Sequence, residues 1–227
     1  MNANALAADR AAALKLVPVS RETLARIDAF VALLLRWQRA VQLVAPADLP
    51  KLWTRHIADS LQLIDLAPAA KQWADLGAGG GFPGLVIALA FGTREKGFVH
   101  LVESDQRKAA FLREAIRVTH APAKVYAERV ESAAKRLAAE VEVVTARALA
   151  PLPRLLALAA PFFARGIPGL FPKGQDVDNE LTESTKSWNI QATIAPSRTH
   201  PHGKIVIVER ASPLFGNPLA SEAGKRP

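Results

Sequence analysis

Apolar positions recur along this chain in two rhythms. From Ser20 to about residue 40, Leu24, Ile27, Val31 and Leu34 or Leu35 fall three or four apart, the spacing of one helical face, and Ser20 offers the N-cap oxygen. A second short helix is expected to start at Asp48-Leu49-Pro50. Beyond residue 70 the rhythm changes. Short apolar runs near 72–76, 97–103, 123–127, 141–145 and 168–172 alternate with helix-length segments, the pattern of a parallel sheet. Two further runs near 188–195 and 204–209 have no such segment between them and read as an antiparallel hairpin at the sheet edge.

The expected organisation is a flexible arm or weak helix over 1–19, a helical cap over 20–70, and one α/β domain over 71–210. A flexible basic tail is expected over 211–227, where Ser212-Pro213-Leu214-Phe215-Gly216-Asn217-Pro218 has too many breakers to hold an element. With 227 residues and 50% hydrophobic content, one domain with a small extension has ample core.

Cysteine is absent, which excludes disulfides, thiolate zinc sites and a cysteine nucleophile, and with it pyrimidine-C5 methylation through a thiolate adduct. No metal site is expected. No run approaches the roughly 18 apolar residues that cross a bilayer; residues 155–164 come nearest and are interrupted by Pro161. The first seventeen residues carry only Asp9, Arg10 and Lys15 as charges and lack a secretory pattern, so a soluble, cytoplasmic protein with no membrane partner is expected. A formal charge of +8 and a pI near 10.1 favour an anionic partner, nucleic acid foremost. Most single members of the basic groups Arg107, Lys108, Arg113, Arg117 and Arg129, Lys135, Arg136, Arg147 read as solvated helix faces. Trp37, Trp53, Trp73 and Trp188 are isolated and read as core.

The candidate chemistry lies between the first two of the parallel strands. Asp75-Leu76-Gly77-Ala78-Gly79-Gly80-Gly81-Phe82-Pro83-Gly84 joins an apolar strand to an apolar helix, where open α/β sheets bind ligands, and glycine permits the sharp turn. Pro83 fits the first helical turn. The dinucleotide fingerprint G-x-G-x-x-G fails from Gly77, where it meets Phe82, and fits from Gly79 through Gly81 and Gly84. In the other frame, Asp75 precedes Gly77, Gly79 and Gly81, which resembles motif I of the Rossmann-like S-adenosylmethionine-dependent methyltransferases. Glu103 ends the next strand about 20 residues beyond the loop, where an acid can accept from ribose hydroxyls. Ser104 and Asp105 already supply N-cap oxygens for the following helix. Both cofactors carry a ribose, so an NAD(P)-dependent oxidoreductase stays open at this point, as does a non-catalytic RNA binder.

A longer set of matches, from about residue 41 to 209, resembles the bacterial ribosomal small-subunit RNA methyltransferase G family, also called glucose-inhibited division protein B. It comprises Gln42-Leu43-Val44, Arg55-His56-Ile57-Ala58-Asp59-Ser60-Leu61, the glycine loop, Val102-Glu103 with Lys108, Arg129-Val130-Glu131, Thr145-Ala146-Arg147-Ala148 and Phe171-Pro172-Lys173-Gly174. The resemblance implies a Rossmann-like class I methyltransferase: an α/β fold with a mostly parallel seven-stranded sheet, a C-terminal antiparallel hairpin and an N-terminal helical cap. It implies methyl transfer from S-adenosylmethionine to guanine N7 in 16S ribosomal RNA, guanine 527 by family analogy, with the RNA or the small subunit as partner. The protein is expected to be a monomer.

By the same analogy Gly77 and Phe82 contact the cofactor, Val130 and Glu131 lie beside its adenine, and Arg147 approaches it; Asp75 and Gly79 from the glycine motif and Glu103 from the ribose argument complete the expected cofactor site. Arg55, His56, Lys173, Arg198 and Lys204 are the RNA candidates. For His56 and Asp59, tying the cap to the sheet stands equally as a reading. The chain departs from the family at Gln42-Leu43-Val44, usually Asn-Leu-Thr, and at Gly203, where a late arginine is common; Lys204 or Arg198 would have to substitute. The segment Thr145-Ala146-Arg147-Ala148 also lacks the tetrapeptide that serves exocyclic amines, whereas N7 has a free lone pair. No general base is expected, and alignment should do most of the work.

Overall fold

The computed structural model describes residues 3–92 and 96–214. Ser20 does cap a helix: its side chain accepts from Thr23 N at the head of α2 (Arg21–Trp37), which buries Ile27, Phe30, Val31 and Leu34. Ahead of it, α1 (Ala3–Leu16) takes the helical alternative of the two that the sequence left open, an arm or a weak helix. Two of its few charges explain why it docks. The Asp9 carboxylate accepts from Trp53 N at 2.7 Å and Thr54 N at 3.2 Å, capping the next helical segment, while Arg10 forms a two-pronged pair with Asp28 at 2.9 and 2.7 Å. The second short helix is a 3-10 turn, Pro46–Lys51, leading into a π-helical turn, Trp53–Ala58, then α3 (Asp59–Leu61) and α4 (Leu63–Leu66).

The sheet follows: β1 (Gln72–Leu76), α5 (Gly84–Phe91), β2 (Phe98–Val102), α6 (Gln106–Thr119), β3 (Ala123–Tyr126), α7 (Val130–Leu137), β4 (Val143–Thr145), α8 (Leu152–Phe163), β5 (Gly169–Lys173), α9 (Val177–Thr185), β6 (Trp188–Pro196) and β7 (Lys204–Pro213). The strand order is β3-β2-β1-β4-β5-β7-β6; β1 to β5 pair in parallel, and β7 is antiparallel to both β5 and β6. This is the class I methyltransferase topology anticipated from the sequence. The hairpin strands run longer than expected, with a register shift between Gln191 and Ala192, and β7 takes up positions 211–213 of the expected tail. The rest of that tail, 215–227, lies outside the described residues.

Strand alternation divides the core. Trp73, Val99 and Leu101 join the cap residues Phe30, Trp53 and Ile57 and the wholly apolar α5 on one face, while Ala74, Leu76 and Val102 meet α7 and α8 on the other. The cap therefore shares a continuous core with the sheet. Pro161 does not interrupt α8; it sits in the last turn, forfeits one backbone bond, and is flanked by the buried Phe162 and Phe163. Trp53, Trp73 and Trp188 are buried, and Trp37 packs against the core. No helix among the described residues is long and apolar enough to cross a membrane.

Candidate functional site

The turn after β1 is built around three glycines at positive φ, Gly77 at +71°, Gly79 at +53° and Gly81 at +93°. It is anchored to the neighbouring strand, since Gly77 N and Ala78 N both donate to Val102 O at 2.9 Å. Gly84 opens α5 against the Asp75 side chain: its N–H donates to Asp75 Oδ2 at 2.8 Å, and an added Cβ would lie 2.4 Å from Asp75 Cβ. Asp75 is fully buried, and its Oδ1 has no hydrogen-bond partner. Burial pushes its carboxyl up to about 7, against the Gly84 hydrogen bond and the Arg147 charge, which favour ionisation.

Beside this turn, at the carboxyl ends of the strands, lies a cavity of about 730 Å³. Of the residues expected around a cofactor, Gly77, Gly79, Phe82, Glu103, Val130, Glu131 and Arg147 line it; Asp75 does not, and instead supports the loop from beneath. Glu103 Oε2 accepts from Gly79 N at 2.8 Å and Oε1 from Asp105 N at 2.7 Å, so the carboxylate is held across the cavity floor. Asp105 caps α6 by accepting from Arg107 N and Lys108 N, which leaves Glu103 out of the capping role.

A second cavity of about 840 Å³ adjoins the first, and Asp48, His56, Arg147 and residues 148–151 belong to both walls. Arg147 crosses from the sheet to the cap. Its Nη1 donates to Arg55 O at 2.9 Å and stands 3.6 Å from Asp59 Oδ2, its Nη2 contacts His56 Nδ1, and its guanidinium lies 5.5 Å over the Phe82 ring. Burial pulls its pKa down, opposed by Asp59 and Asp75. His56 packs on Phe82 with ring centroids 4.9 Å apart, and burial, then Arg147 and Arg55, hold it down to about 3, so the ring is neutral. Asp59 also accepts from Thr199 Oγ1 at 2.8 Å, tying the cap to the hairpin turn.

Arg55, His56, Lys173 and Lys204 line the larger cavity; Arg198 does not, and pairs with Asp65 at 2.7 Å. Lys173 is committed inward. Its Nζ donates to Glu180 at 2.7 Å and to Ala150 O at 3.1 Å, while the same Glu180 oxygen accepts from Leu152 N at 2.6 Å. Sequence reasoning missed Glu180 and Asp48 as cavity residues: the first carries no motif, and the second read only as a helix start. No cluster that could hold a metal occurs among the described residues.

Residues 23–206 match the sequence family described as rRNA small subunit methyltransferase G. The chain is 57% identical over 204 residues to a ribosomal RNA small subunit methyltransferase G of Bradyrhizobium sp. strain BTAi1, covering 90% of this chain and 92% of that protein. It is 55% identical over 208 residues to the protein of that name from Rhodopseudomonas palustris strain BisB18, covering 92% and 89%. Among solved structures, an O-methyltransferase from Bacillus cereus crystallised with SAH superposes with a TM-score of 0.58 at 15% identity, over 91% of this chain and 99% of that one, a likeness of fold.

Proposed function

The chain belongs to the rRNA small subunit methyltransferase G family, and from that premise we propose that it transfers the methyl group of S-adenosylmethionine to N7 of a guanine in 16S ribosomal RNA, guanine 527 by family analogy. The observation that carries this reading is the pair of adjoining cavities that share Arg147 and the loop after it, one walled by the glycine turn and Glu103, the other by Arg55, Lys173 and Lys204 together with the acids Asp48, Asp59 and Glu180.

The first cavity suits S-adenosylmethionine on its own chemistry. Gly77 and Gly79 let the backbone come close to a ligand, Glu103 offers acceptor lone pairs to ribose hydroxyls, and Val130 and Glu131 supply an apolar and a polar wall for an adenine. When bound, the sulfonium supplies an activated methyl group. The protein's part is alignment and exclusion of water, because guanine N7 has a free lone pair and no proton must be removed. Asp75, away from both cavities, is not placed to act as a base. Arg55 and Lys204 stand at the larger cavity where RNA phosphates would approach; Arg198, outside that cavity and paired with Asp65, is a further candidate for a phosphate. Lys173 contributes by holding the shared loop. The protein works as a cytoplasmic monomer.

Incubation with methyl-labelled S-adenosylmethionine and 16S RNA, free or within the small subunit, tests this. Label recovered as 7-methylguanine at one position supports it; label on another atom or base, or none, contradicts it.

A further inference from the structure

Arginine only donates hydrogen bonds, so its contact with Arg147 Nη2 makes His56 Nδ1 an acceptor and puts the single proton of the neutral ring on Nε2. That N–H is buried and has no hydrogen-bond partner. The nearest carboxylate oxygen, Asp48 Oδ2, stands 3.8 Å away, too far for a hydrogen bond. Asp48 is itself loosely held, with Arg55 Nε 3.4 Å from Oδ1. A buried donor left unpaired is costly, and one that lines a ligand-sized cavity is accounted for if a ligand satisfies it. Both residues lie in the wall common to the two cavities, where a methyl donor and a base would meet.

We propose that His56 Nε2–H and the Asp48 carboxylate form a donor–acceptor pair that reads the O6 and N1–H edge of the target guanine, making these two residues the determinants of which purine is methylated. The inference rests on the methyl-transfer reading above. N7 alone cannot discriminate, since guanine and adenine both present it as an acceptor. The six-membered ring does differ: guanine offers an acceptor at O6 beside a donor at N1, and adenine offers an amine at C6 beside an acceptor at N1. Against this pair adenine would set donor to donor and lone pair to carboxylate, leaving the buried N–H unsatisfied. Sites built around a required hydrogen bond reject analogues lacking it far more strongly than apolar pockets reject size changes. In the free protein Nε2 is closed to solvent, so engaging it requires a small displacement of the groups around it, with the Asp48 carboxylate remaining beside it as the acceptor.

The test uses the full chain and synthetic RNA of the mapped target sequence with guanine, inosine or adenine at the methylated position. With wild type, inosine, which keeps O6 and N1–H, is expected to react within about tenfold of guanine, and adenine at least a thousandfold more slowly. Asp48→Asn is expected to lower kcat/KM on guanine about 10–100-fold and to raise it on adenine, since an amide can donate to adenine N1. His56→Gln serves as the second variant and should narrow the same ratio. Circular dichroism and thermal melts report the folding of both variants, and rates are compared at saturating S-adenosylmethionine, because both residues also line the cofactor cavity. A merely structural pair would lower guanine and adenine rates together. An unchanged guanine-to-adenine ratio in both variants, or inosine reacting as poorly as adenine, overturns the inference and leaves the methyl-transfer reading standing. A wild type that methylates no guanine overturns both.

Discussion

The carboxylate of Glu103 bridges the end of β2 to the amide of Gly79 in the turn after β1, with Oε2 accepting at 2.8 Å. An acid proposed for a ribose contact is thus already oriented by the protein. Each of its oxygens holds one backbone amide and retains further acceptor capacity. The loop conformation and the proposed ribose contact therefore depend on one side chain.

Glu103→Ala should weaken S-adenosylmethionine binding by about 1–3 kcal/mol through loss of charge-assisted hydrogen bonds. It should also lower the melting temperature, because Gly79 N loses its acceptor. Glu103→Gln, which can still accept from Gly79, should recover most of the stability and less of the affinity. Calorimetry with thermal melts on the three proteins separates the effects, and wild-type affinity in the alanine variant would refute the ribose role.

Asp75 gives a pH signature. Its folded pKa near 7 lies above its unfolded value near 3.9, so the native state holds the proton more tightly between those limits. Stability is then greatest below about pH 4 with respect to this group, and falls as pH rises to about 7, by an amount on the order of a few kcal/mol. Arg147 opposes the shift and Glu103 adds to it. Asp75→Asn, which keeps an acceptor for Gly84 N, should remove that decline. Melting temperatures of both proteins from pH 4 to 8 should converge at the acid end and diverge above it; parallel curves would contradict the account.

Gly84 marks the closest approach of α5 to β1. A Cβ there would meet Asp75 Cβ at 2.4 Å and Leu101 Cδ2 at 2.6 Å, both in packed core. Gly84→Ala should cost about 1–3 kcal/mol from overpacking. Gly174→Ala meets nothing within 4 Å and serves as the control. Equal denaturant midpoints for the two variants would show that this contact is not tight.

Glu180 and Lys173 hold the loop that both cavities share. Lys173→Met strips Ala150 O and Glu180 of their donor, and Glu180→Ala strips Leu152 N of its acceptor as well; each should destabilise by about 1–3 kcal/mol. In a double-mutant cycle the two losses should be non-additive by at least about 0.5 kcal/mol. Strict additivity would contradict the clamp.

The strands were legible because each is a short apolar run bounded by polar or breaking residues, and parallel strands covered on both faces read as such runs. Ser20 and Asp105 could be recognised as caps because capping is local. The glycine turn and Glu103 likewise declared themselves by spacing along two adjacent segments. What escaped depends on partners far away in sequence. α1 is fixed by Asp28, Trp53 and Thr54, none of which a scan of residues 1–19 can reveal. The commitment of Lys173 to Glu180 and Ala150 needs the loop geometry after β4. Asp75 fitted the motif but serves the loop from below, since its side chain points under the turn to Gly84 N.

S-adenosylmethionine is proposed to occupy the cavity of about 730 Å³ beside the glycine turn. Calorimetric titration of the purified protein with S-adenosylmethionine and, separately, with NADH tests it most directly. Micromolar binding of S-adenosylmethionine and none of NADH is the expected result; binding of NADH alone would contradict the claim.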